Sequence, residues 1–380
     1  MATAVKIDVK EQNLLGAFQG FFKTLLGLED IHALLVPQQL PVKGSVMPTL
    51  VTDPDQLDGA DPLAPAFPLN AARVVSRLTR KPMGGKAVAV LRPCEIRAFI
   101  ELVKLNQGST EELILVGVDC LGAYSNADYY RLAGENPGEI TERFYQSVLG
   151  GKGTQMDGVD ITAACKACEH PIPDQADLVV GLYGVDTQSG LYVESKTPKG
   201  EDLIQRLGLP AAETPPRREA AIGALIAERT AYRDKMFADT REAAGSLDQM
   251  AEYFSHCINC YNCRVACPVC YCKECVFVTD VFYHEPAQYL KWSRRKGVIK
   301  MPTDTVFYHL TRLAHMSTAC VGCGQCSNAC PNDIPVMEVF RTMAHRTQQA
   351  FGYEAGKHLE EKPPLSEFRE AEFEEVVGIS

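Results

Sequence analysis

Residues 257–268 read CINCYNCRVACP, and residues 320–331 read CVGCGQCSNACP. Both have the form Cys-x2-Cys-x2-Cys-x3-Cys-Pro, the run that bacterial ferredoxins use for four-iron clusters. Two-residue spacers let one short loop offer three thiolates to three corners of a cubane, while x3 and the proline aim the fourth elsewhere. The pattern predicts Cys257, Cys260, Cys263 and Cys330 on one [4Fe-4S] cluster and Cys320, Cys323, Cys326 and Cys267 on a second. Structural zinc also favours Cys-x2-Cys pairs, but it needs neither the third close cysteine nor the proline, so two complete copies outweigh it. Cys270, Cys272 and Cys275 in CPVCYCKEC are left over. They read either as buried or supporting thiols beside the clusters, or as a further site completed by His284 or a partner residue.

Around these runs the sequence is helical. Phe307, Leu310 and Ala314 recur at helical spacing behind Pro302, and Val336, Val339, Phe340 and Met343 do so after Pro335. Residues 246–350 are therefore expected as a mainly helical two-cluster ferredoxin-like domain, with Ser246 and Asp248 as caps at its start and an acidic tail over 351–380. Upstream of it, residues 215–245 follow Pro215-Pro216 and are rich in Ala, Glu and Arg, which predicts one linker helix.

Eleven of the 15 cysteines fall between Cys257 and Cys330; Cys94, Cys120, Cys165 and Cys168 are scattered through the first half. That half reads as α/β. The apolar runs Ala87–Leu91, Leu113–Val118 and Leu178–Val185 look like buried strands, with helical periodicity at Ala71, Val74, Val75 and Leu78 before the first and at Ile96, Phe99, Ile100 and Val103 after it. Helices layered on a sheet would bury such elements. The expected division is a helical segment over 1–39, containing the amphipathic stretch Leu14 to Leu28, and an α/β domain over 40–214. The four scattered thiols lie after strands or in loops, which makes them candidates for one site.

Composition narrows the function classes. In 380 residues there are 38 basic and 48 acidic side chains, a net charge of -10 that repels a phosphate backbone and argues against nucleic acid. Only Arg294, Arg295 and Lys296 form a dense basic run, and it reads as a solvated helix end. The N-terminal stretch carries no secretory pattern, and no apolar run reaches the length of a transmembrane segment, so a cytoplasmic location is expected. In that compartment thiols stay reduced, which turns the cysteine count toward metal and redox chemistry.

The first half resembles the beta subunits of coenzyme F-420-reducing hydrogenase and formate dehydrogenase. The resemblance rests on residues 48–56 (PTLVTDPDQ), 86–98 (KAVAVLRPCEIRA), 114–120 (ILVGVDC), 165–184 (CKACEHPIPDQADLVVGLYG) and 193–203 (VESKTPKGEDL), in that order, and covers roughly residues 40 to 235. It implies one FAD and one [4Fe-4S] cluster in the α/β domain, with a deazaflavin bound against the flavin. Carried over, the cluster ligands are Cys94, Cys120, Cys165 and Cys168. Lys43, Gly44 and Ser45 are the nearest remnant of the family's glycine-rich flavin segment. Arg92 is a further candidate at the flavin, since a guanidinium pairs a pyrophosphate or stabilises an anionic reduced flavin; a strand-end salt bridge is its other reading. The C-terminal half looks like the dicluster module fused to bacterial relatives of this family.

Together these features predict a flavin and iron-sulfur oxidoreductase subunit with three [4Fe-4S] clusters and FAD. It would link a catalytic subunit of formate dehydrogenase, hydrogenase or heterodisulfide-reductase-like type with a soluble carrier such as ferredoxin, NAD(H) or a deazaflavin. The competing expectation is a flavin-free wiring and docking subunit without a substrate site. No molybdopterin or nickel site is recognisable, which assigns primary substrate chemistry to a partner chain. His256 and His315 adjoin cluster motifs and are candidates for hydrogen bonds to sulfur, against surface or packing roles.

Overall fold

The structure, a computed structural model, describes residues 4–41, 44–134, 137–279, 285–297 and 304–367. A seven-stranded sheet runs in the order β1-β7-β6-β5-β4-β2-β3, where β1 is Ala4–Asp8, β2 Ile31–Gln39, β3 Val46–Val51, β4 Lys86–Leu91, β5 Leu113–Val118, β6 Leu178–Gly181 and β7 Gly190–Ser195. The central four, β2, β4, β5 and β6, are parallel; β3 and the β1/β7 pair close the edges antiparallel. Parallel strands need both faces covered, which is why the central runs are apolar at nearly every position.

The strand period of two sorts those residues. Val88, Val90, Ile114, Val116 and Val180 face one core with helices α1 (Leu14–Leu26), α4 (Asn126–Ala133), α5 (Pro137–Leu149) and α7 (Pro198–Leu207). Ala87, Ala89, Leu91, Leu113, Leu115 and Val179 face the other, against α2 (Ala72–Leu78) and α3 (Pro93–Lys104). The second core does not stop at α3. It continues into Met250, Phe254, Tyr308, Leu313, Val336 and Phe340, so the cysteine-rich half packs directly on the sheet's own helices.

That half comprises α9 (Leu247–Tyr253), α10 (Asn262–Ala266), α11 (Pro286–Lys296), α12 (Thr305–Met316), α13 (Gln325–Asn328) and α14 (Val336–Ala350). It is reached through the 27-residue helix α8, Arg218–Ala244, about 40 Å long at 1.5 Å per residue. Ser246 caps α9 by accepting from the Gln249 amide at 3.2 Å; Asp248 lies inside the first turn.

Three expectations are corrected. Residues 1–39 are not a purely helical segment: β1 and β2 flank α1 and both enter the sheet. The strand expected to Val185 ends at Gly181. The tail expected from 351 begins with an anchored stretch, because Tyr353 and Ala355 are buried and the Arg97 guanidinium of α3 donates to the Ala355 carbonyl at 2.7 and 3.1 Å. Residues 368–380 of that tail lie outside the described residues, as do Lys43 and His284.

Candidate cluster and cofactor site

The two cysteine runs fold alike. In each, the second residue after the first cysteine and the residue after the second cysteine have left-handed backbone: Asn259 and Tyr261 in one copy (φ 52° and 59°), Gly322 and Gly324 in the other (φ 70° and 81°). These two reversals curl the loop so that the third cysteine enters a short helix, Cys263 in α10 and Cys326 in α13. The first copy places side chains there despite the strain. The second cannot, since a Cβ on Gly324 would lie 2.4 Å from the Cβ of Ala164, which sits in α6 (Ala163–Lys166) with Cys165.

Gly324 is thus where the second cysteine loop meets the loop of the first half. Gly324→Ala is expected to destabilise by about 1–3 kcal/mol through overlap and left-handed strain, read as a lowered melting temperature. Ala164→Gly in the same chain should recover part of that loss.

The thiols gather as sets. Cys257 is pushed up by burial first, with Cys263, Cys260 and Cys330 adding to the shift. Burial also raises Cys326 well above the usual thiol range; Arg312 opposes the shift, and Cys267, Cys323 and Cys320 add to it. Cys94, Cys120, Cys165 and Cys168 line one cavity of about 420 Å³, and Cys323 lines it with them. There burial pushes Cys120 up to about 11, and Cys165 reinforces it. Buried thiols in this state are protonated and inert; a bound metal centre is what would hold them as thiolates. Among the described residues no three His, Cys, Asp or Glu groups are arranged to hold a single metal ion. The four thiols of the first half, with Cys323, line a common space instead, which suits a larger body such as a cubane.

Of the leftover thiols, Cys270 is half-buried and raised to about 11 by burial and then by Cys267, Cys272 is exposed, and Cys275 is half-buried. They lie in turns before a short 3-10 stretch, Val276–Val278.

A second cavity, about 380 Å³, opens at the carboxyl ends of β2, β4 and β5, between Pro37, Leu91, Arg92, Asp119 and Cys120. Ligands of parallel α/β sheets bind at such strand ends. Arg92 and Cys120 line both cavities. Arg92 is the residue that starts α3; its Nη2 donates to the carbonyls of Ala64 at 2.8 Å and Ala66 at 2.5 Å, and its guanidinium lies 4.8 Å from the Phe67 ring centroid. Among the described residues it makes no salt bridge, which sets aside the strand-end ion pair. Gly44 and Ser45 sit instead in the β2–β3 hairpin connection, with Gly44 against Ala133 and Tyr130 of α4, and line neither cavity.

The polar groups nearest the sulfurs come from elsewhere. His256 and His315 are exposed. The imidazole that approaches sulfur is that of His309, whose Nε2 is 3.5 Å from Cys257 Sγ; burial drives its pKa down to about 3, so it is neutral. Tyr308 Oη lies 3.4 Å from Cys263 Sγ, and Arg312 Nη1 donates to the same sulfur at 3.1 Å. The helix expected to bury Phe307, Leu310 and Ala314 turns those residues outward and buries Tyr308, His309, Arg312, Leu313 and Met316. On the first cavity, Arg229 of α8 is buried and donates to the Cys120 carbonyl at 3.3 Å. None of these polar residues belongs to a motif. The available signal was their spacing of 308, 309 and 312 on one face of α12.

Comparison with known proteins agrees with this division. Residues 84–209 match the family described as the C terminus of the coenzyme F420 hydrogenase/dehydrogenase beta subunit, and residues 253–334 match a 4Fe-4S dicluster domain. The F420-dependent formate dehydrogenase subunit beta of Methanocaldococcus jannaschii is 26% identical over 367 residues, covering 90% of this chain and 91% of that protein. The F420-dependent formate dehydrogenase 1 subunit beta of Methanococcus maripaludis is 25% identical over 380 residues, covering 92% of each. A solved chain of the F420-reducing [NiFe] hydrogenase complex from Methanosarcina barkeri overlaps 62% of this chain and 91% of its own at 15% identity, with a TM-score of 0.44.

Proposed function

The chain joins the C-terminal domain found in beta subunits of the coenzyme F420 hydrogenase/dehydrogenase family to a 4Fe-4S dicluster domain, and from that premise we propose that it is the electron-transfer subunit of a formate dehydrogenase- or hydrogenase-like complex. Three [4Fe-4S] clusters are its wire: one on Cys94, Cys120, Cys165 and Cys168, one on Cys267, Cys320, Cys323 and Cys326, and one on Cys257, Cys260, Cys263 and Cys330. The observation that carries this reading is Cys323. It lines the cavity of the first four thiols and belongs to the second set, while Cys267 ties the second set to the helix of Cys263. The sets therefore form a row rather than separate sites.

FAD belongs at the strand-end cavity in this reading. When bound, a flavin exchanges two electrons with a hydride carrier and passes them singly to a cluster. Arg92 would supply its positive edge, fixed by the Ala64 and Ala66 carbonyls, and Cys120 would adjoin both groups. The flavin-free reading has its own observation, the position of Gly44 and Ser45 outside that cavity.

Iron and flavin per chain after anaerobic purification decide between them. About 12 irons with one FAD is the expected result. About 12 irons without flavin, persisting after incubation with FAD, would make the chain a flavin-free wire. About 16 irons would mean that Cys270, Cys272 and Cys275 hold a further cluster.

A further inference from the structure

Arg312 is buried at 4% exposure on α12, yet no carboxylate lies within ion-pairing distance of it among the described residues. Its Nη1 donates to Cys263 Sγ at 3.1 Å and its Nη2 to the Cys263 carbonyl at 3.2 Å, and its Nε has no partner. The rings of Phe340 and Tyr308 lie 4.5 and 5.6 Å from the guanidinium. Removing a cation from water without a compensating anion costs several kcal/mol, so a group buried this way needs negative charge nearby. Besides Cys263, the titratable groups near enough to act on it are Tyr308 and, from the other set, Cys267 and Cys326; the thiols become anionic only as ligands of a bound cluster.

A four-iron cluster with four thiolates carries net negative charge, and it gains one more on reduction. A fixed cation beside it therefore favours the reduced state, and one placed between two clusters favours reduction of both. Direct donation to a ligand sulfur raises the potential further.

We propose that Arg312 is the shared counter-charge of the two C-terminal cysteine sets, a positioning residue that raises the reduction potentials of both clusters, most strongly that of the Cys263 cluster. The inference rests on the cluster assignment above. Its consequence is functional: the two clusters at the far end of the row accept electrons more readily than they would without it.

The test is an EPR-monitored redox titration of the whole protein, each cluster taking one electron from the mediators, with signals assigned by their loss in Cys263→Ser and Cys326→Ser. In Arg312→Gln the reduced-to-oxidised ratio of the Cys263 cluster at fixed potential should fall at least tenfold, a shift of about 59 mV for one electron. The Cys326 cluster should shift in the same direction by less, and the Cys94 cluster not at all. Arg312→Lys keeps the charge but loses the planar fork, so only the Cys263 cluster should move. Tyr308→Phe, which removes a neutral hydrogen bond to the same sulfur, should move that cluster by less than tenfold.

Unchanged potentials in Arg312→Gln at full iron content would overturn the proposal, as would equal shifts of both clusters in Arg312→Lys. If Arg312→Gln does not retain its clusters, the split in Arg312→Lys decides alone. If Cys263→Ser loses no iron, the cluster assignment fails, and this inference with it.

Discussion

Asp119→Ala is expected to lower the stability of the protein by about 3–5 kcal/mol, the usual effect of leaving a buried charge without its partner. Asp119 and Arg218 form a two-pronged pair, with Nη1 to Oδ2 at 2.6 Å and Nη2 to Oδ1 at 3.1 Å, at side-chain exposures of 0% and 6%. The same carboxylate accepts from the amides of Leu182 at 2.8 Å and Tyr183 at 3.2 Å. One side chain thus fastens the end of β5, the turn after β6 and the first turn of α8. Removing it strands the guanidinium and two amides together. Denaturation of the anaerobic protein followed by circular dichroism measures the loss. The double change Asp119→Leu with Arg218→Leu leaves no stranded charge, and should be less destabilised than Asp119→Ala. Because Asp119 precedes Cys120, the single variant should also release iron faster than wild type while the double variant is intermediate.

The parts legible in the sequence were those where one physical demand dominates. Val88, Ile114 and Val179 lie in strands buried on both faces, so their runs are apolar throughout and read as strands. The cysteine runs were legible because a cubane fixes spacing. β2 was not, since Pro37 interrupts its pattern and argues against an inner strand. The structure accommodates it because β4 pairs β2 only between Ile31 and Leu35, and Pro37 faces Pro48 of β3 beyond that reach. α12 was read with the wrong face for a related reason. Hydrophobic periodicity assumes that the interior is apolar, whereas here it holds thiols that require donors and positive charge. Tyr308, His309 and Arg312 point inward, and Phe307 is left 55% exposed. Gly44 is legible only as a turn: it takes a left-handed conformation, at φ 63°, but a turn residue reports a backbone bend and not what lies beside it.

Cys323→Ser should remove about four of about 12 irons and divide the wire in its middle. The effect follows from position. In the proposed assignment Cys323 belongs with Cys267, Cys320 and Cys326, and it is also the thiol of that set that lines the cavity of Cys94, Cys120, Cys165 and Cys168. Burial raises Cys94 well above the usual thiol range, and Cys323 is the next contributor, ahead of Glu95, Cys120 and Cys168. A serine there removes the ligand nearest the first set, so electrons entering at the strand-end cavity should still reduce the Cys94 cluster while the EPR signal of the Cys263 cluster no longer develops in the same mixing experiment. Dithionite, which needs no internal route, should still reduce both. Cys272→Ser is the matched control, because Cys272 is exposed and should leave iron content and both signals intact. If the Cys263 cluster were reduced as fast in Cys323→Ser as in wild type, the clusters would not form a row, and electrons would reach the cysteine-rich half by a path that bypasses the contact between Gly324 and Ala164.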